Sequence, residues 1–213
     1  MSGRKVIIVA ALAVAGLISA CGGTEQNPGE RHASFPVSVT SSFQTSQRLA
    51  QQTSFTVTIT NTGHKTIPNV AVTVTNPRYG SAAQSFGTLL KPNAAGQPIL
   101  ASRSRPVWII NRAPGPCGYS CRYRGPGAAA TAYSDTWALG RLAPGHAATF
   151  QWRLTAVQAG DYTVEYQIAA GLNGYAKAVL SGGAPARGRY RVTISSTPPA
   201  TTVHSDGQVV QRS

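Results

Sequence analysis

Strict alternation of apolar and polar residues constrains this chain more than any other feature. In SFTVTITNTG, Phe55, Val57 and Ile59 alternate with Thr56, Thr58 and Thr60; in NVAVTVT, Val70, Val72 and Val74 alternate with Ala71, Thr73 and Thr75. FQWRLT sets Phe150, Trp152 and Leu154 against Gln151 and Arg153, and YTVEYQI sets Tyr162, Val164, Tyr166 and Ile168 against Glu165 and Gln167. RYRVTI sets Tyr190, Val192 and Ile194 against Arg189, Arg191 and Thr193, and FPVSV, with Phe35, Val37 and Val39, begins the series. A period of two puts every second side chain on one face of a strand, so each segment is half buried, with β-branched and aromatic residues inward. NTGHKT, APGH and QAGD between them are turn sequences. PVWII around Trp108 brings the strands to about seven, the number an immunoglobulin-like sandwich needs. The expected fold is all-β: a single immunoglobulin-like β-sandwich over residues 35–196 with a long inserted segment.

The first residues obey a different rule. Arg4 and Lys5 precede an uncharged run of thirteen residues, Val6 to Ile18, followed by Ser19, Ala20 and Cys21. Such a run is short for a membrane span and suits the apolar part of an export signal. ISAC resembles the lipobox of bacterial lipoproteins, with Ile18 where leucine is commonest. That resemblance implies cleavage after residue 20, a lipidated (palmitate-type) Cys21 as the new first residue, and attachment to the outer face of the cytoplasmic membrane. Each buried methylene contributes about 0.8 kcal/mol and two acyl chains hold stably, so no protein span is needed. Residues 21–34, polar and rich in Gly and Pro, are expected to be a flexible tether with a reach of ~20 Å.

Charge narrows the partners. The chain of 213 residues carries 19 Lys and Arg against 6 Asp and Glu, a net of +13, which becomes +11 once Arg4 and Lys5 leave with residues 1–20. Between Arg31 and Arg124 there is no acid at all. A surface like that is expected to be drawn to phospholipid headgroups, acidic wall polymers or glycans, with an envelope protein as another partner, and an exported protein has little occasion to meet nucleic acid.

The strand ending in Asn61-Thr62-Gly63, the V-x-V-x-V strand after it, LAPGHAATFQW and AGDYTVEYQI together resemble the bacterial cell-adhesion-related (CARDB) domains. The matching pieces are residues 54–75 and 139–169. The resemblance implies an immunoglobulin-like module without an active site, in which Leu142, Pro144 and Gly145 turn the chain into an apolar strand. It also implies that Gly160 and Tyr162 open the next strand, Tyr162 in a tyrosine-corner role.

Residues 77–135 are far longer than an ordinary connection, and such segments are functional or conceal structure. RPVWIIN and AYSDTWALG within it read as strands, the second bringing Trp137 and Leu139 toward the core. The remainder, RAPGPCGYSCRYRGPGAAA, concentrates Arg112, Tyr119, Arg122, Tyr123 and Arg124, residues that stack on sugars or pair with phosphate and carboxylate. These five form the expected binding surface. In an oxidising exported compartment Cys117 and Cys121 most simply form a disulfide, worth about 2 kcal/mol for so small a loop. The alternative is copper or redox handling by that pair, with His146 as a distant ligand. A cupredoxin site lacks its axial ligand because Met1 is the only methionine, and no zinc set has suitable spacing. No cofactor or resident metal is expected.

No enzyme is expected either. Of the six carboxylates, Glu25 and Glu30 lie in the tether, Asp206 in the tail and Asp161 in a turn, while Glu165 points outward; no inward pair is available for acid–base work. No nucleophile elbow, P-loop or zinc-protease motif occurs. After the Pro198-Pro199 stop, residues 197–213 are expected to be a flexible tail, in which Asp206-Gly207 could turn a small hairpin.

Overall fold

The period of two becomes strands throughout the computed structural model, which describes residues 30–75, 85–87, 89–90, 99–100, 106–115, 129–131, 135–203, 205 and 209–211. Among them are sixteen strands: β1 (Ala33–Phe43), β2 (Ser46–Arg48), β3 (Gln52–Asn61), β4 (Ile67–Thr75), β5 (Phe86–Gly87), β6 (Leu89–Leu90), β7 (Ile99–Leu100) and β8 (Trp108–Arg112). β9 (Ala129–Ala130), β10 (Thr136–Leu142), β11 (Ala147–Ala156), β12 (Gly160–Ala169), β13 (Ala176–Val179), β14 (Arg187–Ser195), β15 (Thr201–Val203) and β16 (Val209–Gln211) follow. No helix among the described residues is long and apolar enough to cross a membrane.

Two sheets face each other. One runs β1-β3-β11-β8, with β5 beyond β8; the other runs β14-β12-β4-β10, with β9 beyond β10. β1 joins them. Its first residues pair parallel with β13, Ala33 to Pro36 against Ala176 to Val179, and from Val37 onward it pairs antiparallel with β3. The changeover falls at Pro36, which has no N–H to give to a ladder. The expected immunoglobulin-like sandwich is therefore present, with β1, β3 and β11 facing β10, β4, β12 and β14.

The seventh strand of that frame is not PVWII, as its sequence suggests, but β10. β10 pairs with the central strand β4, whereas β8 belongs to the inserted segment and adds to the outer edge of β11. The insertion thus lengthens both sheets and contributes to the core: Phe86 and Trp108 are buried, with Trp108 ringed by Phe43, Phe86 and Tyr162. Trp137 points inward as expected, but Leu139 does so only partly. The register between β10 and β4 slips at Leu139, leaving it as the extra residue of a bulge. Gly140, at φ 81°, accommodates the bend, and its N–H donates to Asn69 Oδ1 at 3.0 Å.

The body starts inside the expected tether, because the Glu30 carboxylate accepts the backbone N–H groups of Asn173, Tyr175 and Ala176 at 2.7–2.8 Å. Past β14, the small hairpin that Asp206-Gly207 suggested is present as β15–β16, in register from Thr201↔Gln211 to Val203↔Val209 and paired with no other strand among the described residues.

Buried polar groups fix the joints. Asn61, fully buried at the end of β3, donates from Nδ2 to Lys65 O (2.8 Å) and Leu142 O (2.9 Å) and accepts the Gly63 N–H (3.0 Å). Its own backbone bonds His146 O and Gly145 N, so one residue ties the β3–β4 turn to the Pro144-Gly145 turn. Tyr162 Oη donates to Ala159 O at 3.0 Å, the hydrogen bond of a tyrosine corner. Gln47, also buried, accepts the indole N–H of Trp108 at 2.8 Å and returns its amide to Gln44 O at 2.7 Å.

Asp135, at the entry to β10, has a left-handed φ of 54°. Burial pushes its carboxyl up from an ordinary 3.8 to about 6. The folded state therefore holds a proton that the unfolded chain releases. This favours folding below about pH 4, and the advantage is lost as the pH rises through about 6. Partial solvation reduces the effect to about 1 kcal/mol. Asp135→Asn, which suits the same backbone, is expected to gain about that much at pH 7.5 and to flatten stability between pH 4 and 6. Urea unfolding at pH 4, 5, 6 and 7.5 checks it; an undiminished pH slope in the variant would refute the assignment.

Candidate functional site

The strands of the β1-β3-β11-β8 sheet contain no Asp or Glu: β1, β3 and β8 come from the acid-free stretch of sequence and β11 from beyond it. Its solvent face carries a hydroxyl and amide surface: Thr56, Thr58 and Thr60 from β3, and Thr149, Gln151 and Arg153 from β11, with Thr58 and Thr149 hydroxyls 3.0 Å apart. At its edge Arg112 of β8 sits directly opposite Arg153 of β11, both exposed. Like charges directly opposed across strands destabilise a sheet. Beside them opens a groove of about 360 Å³ whose floor includes Thr149 and Gln151 and whose wall is Ala113, Pro114 and Gly115. Leu139, half buried at the β10 bulge, also lines it. Two guanidinium forks beside hydroxyl and amide donors, with no acid in the lining, form an arrangement that takes a phosphate or carboxylate bidentately.

The other sheet has a mixed solvent face. Arg187, Arg189 and Arg191 of β14 stand in register with Gln167, Glu165 and Thr163 of β12, and Thr73 and Thr75 of β4 continue the rows. A groove of about 470 Å³ runs over Thr73, Thr75, Glu165, Gln167, Arg187 and Arg189. Asp161, expected in a turn, lies within β12, where its carboxylate accepts the Thr193 hydroxyl at 2.7 Å.

Of the five residues expected to form a binding surface, Arg112 is placed. Tyr119, Arg122, Tyr123 and Arg124 lie outside the described residues, as do Cys21, Cys117 and Cys121. Arg153 was not among the expected residues. Its sequence signal was only an outward position in FQWRLT, and nothing in the chain announces that β8 brings Arg112 beside it. Among the described residues no group of three His, Cys, Asp or Glu side chains could hold a metal ion.

No protein-family model and no curated protein sequence matches the chain. Solved structures do. Native Escherichia coli alpha-2-macroglobulin matches at 15% identity and a TM-score of 0.39, over 78% of this chain and 7% of that one. A CARDB domain from Pyrococcus furiosus, in complex with di-metal ions, matches at 10% identity and a TM-score of 0.36, over 76% of this chain and 94% of that one. The strand order defines the fold as an immunoglobulin-like β-sandwich.

Proposed function

We propose that this chain is a non-catalytic envelope lipoprotein, held by a lipidated Cys21, whose acid-free sheet binds an anionic polymer. The observation that carries this reading is the opposition of Arg112 and Arg153 beside a groove to which Thr149 and Gln151 add polar side chains and, among the described residues, no acid contributes. An anion bridging the two guanidinium groups converts a repulsion into two charge-assisted contacts. A repeating polymer presents such anions continuously, and the rows of Thr58, Thr149 and Gln151 offer hydroxyl and amide partners along its track.

The test is retention of the full-length chain, purified in detergent, on immobilised poly(glycerol phosphate). Retention is expected to fall linearly with the logarithm of salt concentration. The double variant Arg112→Glu with Arg153→Glu is expected to weaken binding by at least about tenfold, since each lost charge-assisted contact contributes about 1.5–3 kcal/mol. Retention unchanged by the double reversal rules the groove out. The anchor is checked separately: Cys21→Ser should remove acyl mass from the amino terminus and release the protein from membranes.

A further inference from the structure

Among the described residues, the β14 strand has an open edge. It pairs along its whole length with β12 on one side, but on the other side β2 covers only Thr193 to Ser195. At the opposite end Ala186 N–H reaches Ala178 O in β13. Between these two closures, among the described residues, no strand pairs with Arg187 to Arg191 on that side.

The direction of the free backbone groups follows from two hydrogen bonds. Thr193 N–H turns away from β12 to reach Thr45 O, whereas Ala186 O faces β12 and accepts Ile168 N–H. Antiparallel ladders alternate, so the N–H and C=O of Arg187, Arg189 and Arg191 face outward with Thr193, while Gly188 and Tyr190 bond β12. The same three residues put their exposed side chains on the solvent face. One short edge thus offers three backbone donor–acceptor pairs and three guanidinium groups at every second position.

We propose that this edge receives an extended segment of a partner protein that carries acidic side chains at alternate positions. Strand addition would satisfy the outward backbone groups, and cross-strand spacing of about 5 Å would place each acid against one arginine. A second copy of β14 does not suit the edge, because pairing it with itself sets arginine against arginine. The surface is independent of the Arg112–Arg153 groove, which lies on the other sheet. Polymer and protein could therefore be held at once.

The experiment uses the full-length chain in detergent and two fluorescent peptides of identical composition. One alternates aspartate with valine; the other gathers the aspartates in one block. The alternating peptide is expected to bind at least tenfold more tightly. Arg189→Pro removes one outward N–H that the fold does not use, and should weaken that binding at least tenfold while thermal unfolding stays close to the parent. Equal affinity for the two peptides would overturn the proposal, as would unchanged binding by the proline variant or oligomers of the chain that Arg189→Pro dissociates. If the proline variant fails to fold, amide exchange in the parent decides: the Arg189 and Arg191 amides must slow at least tenfold with the alternating peptide. No slowing overturns strand addition.

Discussion

Trp152→Ala is expected to destabilise the protein by about 4 kcal/mol, the usual cost of removing a large buried aromatic. Trp152 is fully buried, stacked on Phe55 at 5.1 Å and edge-on to Trp137 at 5.3 Å, so little of the cavity can collapse. Phenylalanine at the same place should behave differently. The indole N–H of Trp152 has no hydrogen-bond partner among the described residues, and Trp152→Phe removes that donor while keeping most of the ring contact. Its cost should stay under about 1.5 kcal/mol. Trp108→Phe makes the contrast, because it strands the buried Gln47 carbonyl oxygen and should cost about 2–3 kcal/mol. Urea midpoints at constant m-value measure all three. Trp152→Phe proving more damaging than Trp108→Phe would contradict this account of the core.

Asn61→Ala should cost about 3 kcal/mol, because it deletes three hydrogen bonds worth about 1 kcal/mol each and leaves their partners poorly satisfied. The expected fall in Tm is about 6–12 °C for a chain of this size. Asn61→Asp should not rescue it. A carboxylate can still accept the Gly63 N–H, but it then faces the carbonyl oxygens of Lys65 and Leu142, which need donors. The control is Thr58→Ala, which breaks only the exposed Thr58–Thr149 pair and should move Tm by less than about 2 °C. A similar small shift for Asn61→Ala would mean that the two turns hold themselves without it.

Much of this was legible from single segments. Phe55, Val57 and Ile59, then Phe150, Trp152 and Leu154, are buried in the alternation the sequence displays. Tyr162 makes the corner hydrogen bond that its place after Gly160 implied. The inserted segment was harder, because short strands such as β5 and β9 are two residues long and too brief to show any period. RPVWIIN announced a strand but not its sheet. Leu139 broke the alternation because a bulge needs only a glycine nearby, and glycines are common in this chain. Glu30 looked like a tether residue, since nothing local marks a carboxylate that will meet the amides of a loop some 140 residues later.

The sequence by itself determined which faces of the strands are apolar, because that depends on the order of side chains along an extended backbone with a period of two. It also determined that one long stretch would carry no acid. Only the tertiary structure decided which strands are neighbours, and with them the opposition of Arg112 to Arg153 and, among the described residues, the unpaired edge of β14. Pairing across a sheet joins residues far apart in the chain through the summed burial of whole faces and a few register-setting hydrogen bonds. No local pattern encodes that sum, so an arginine pair of adjacent strands is invisible until the sheet is assembled.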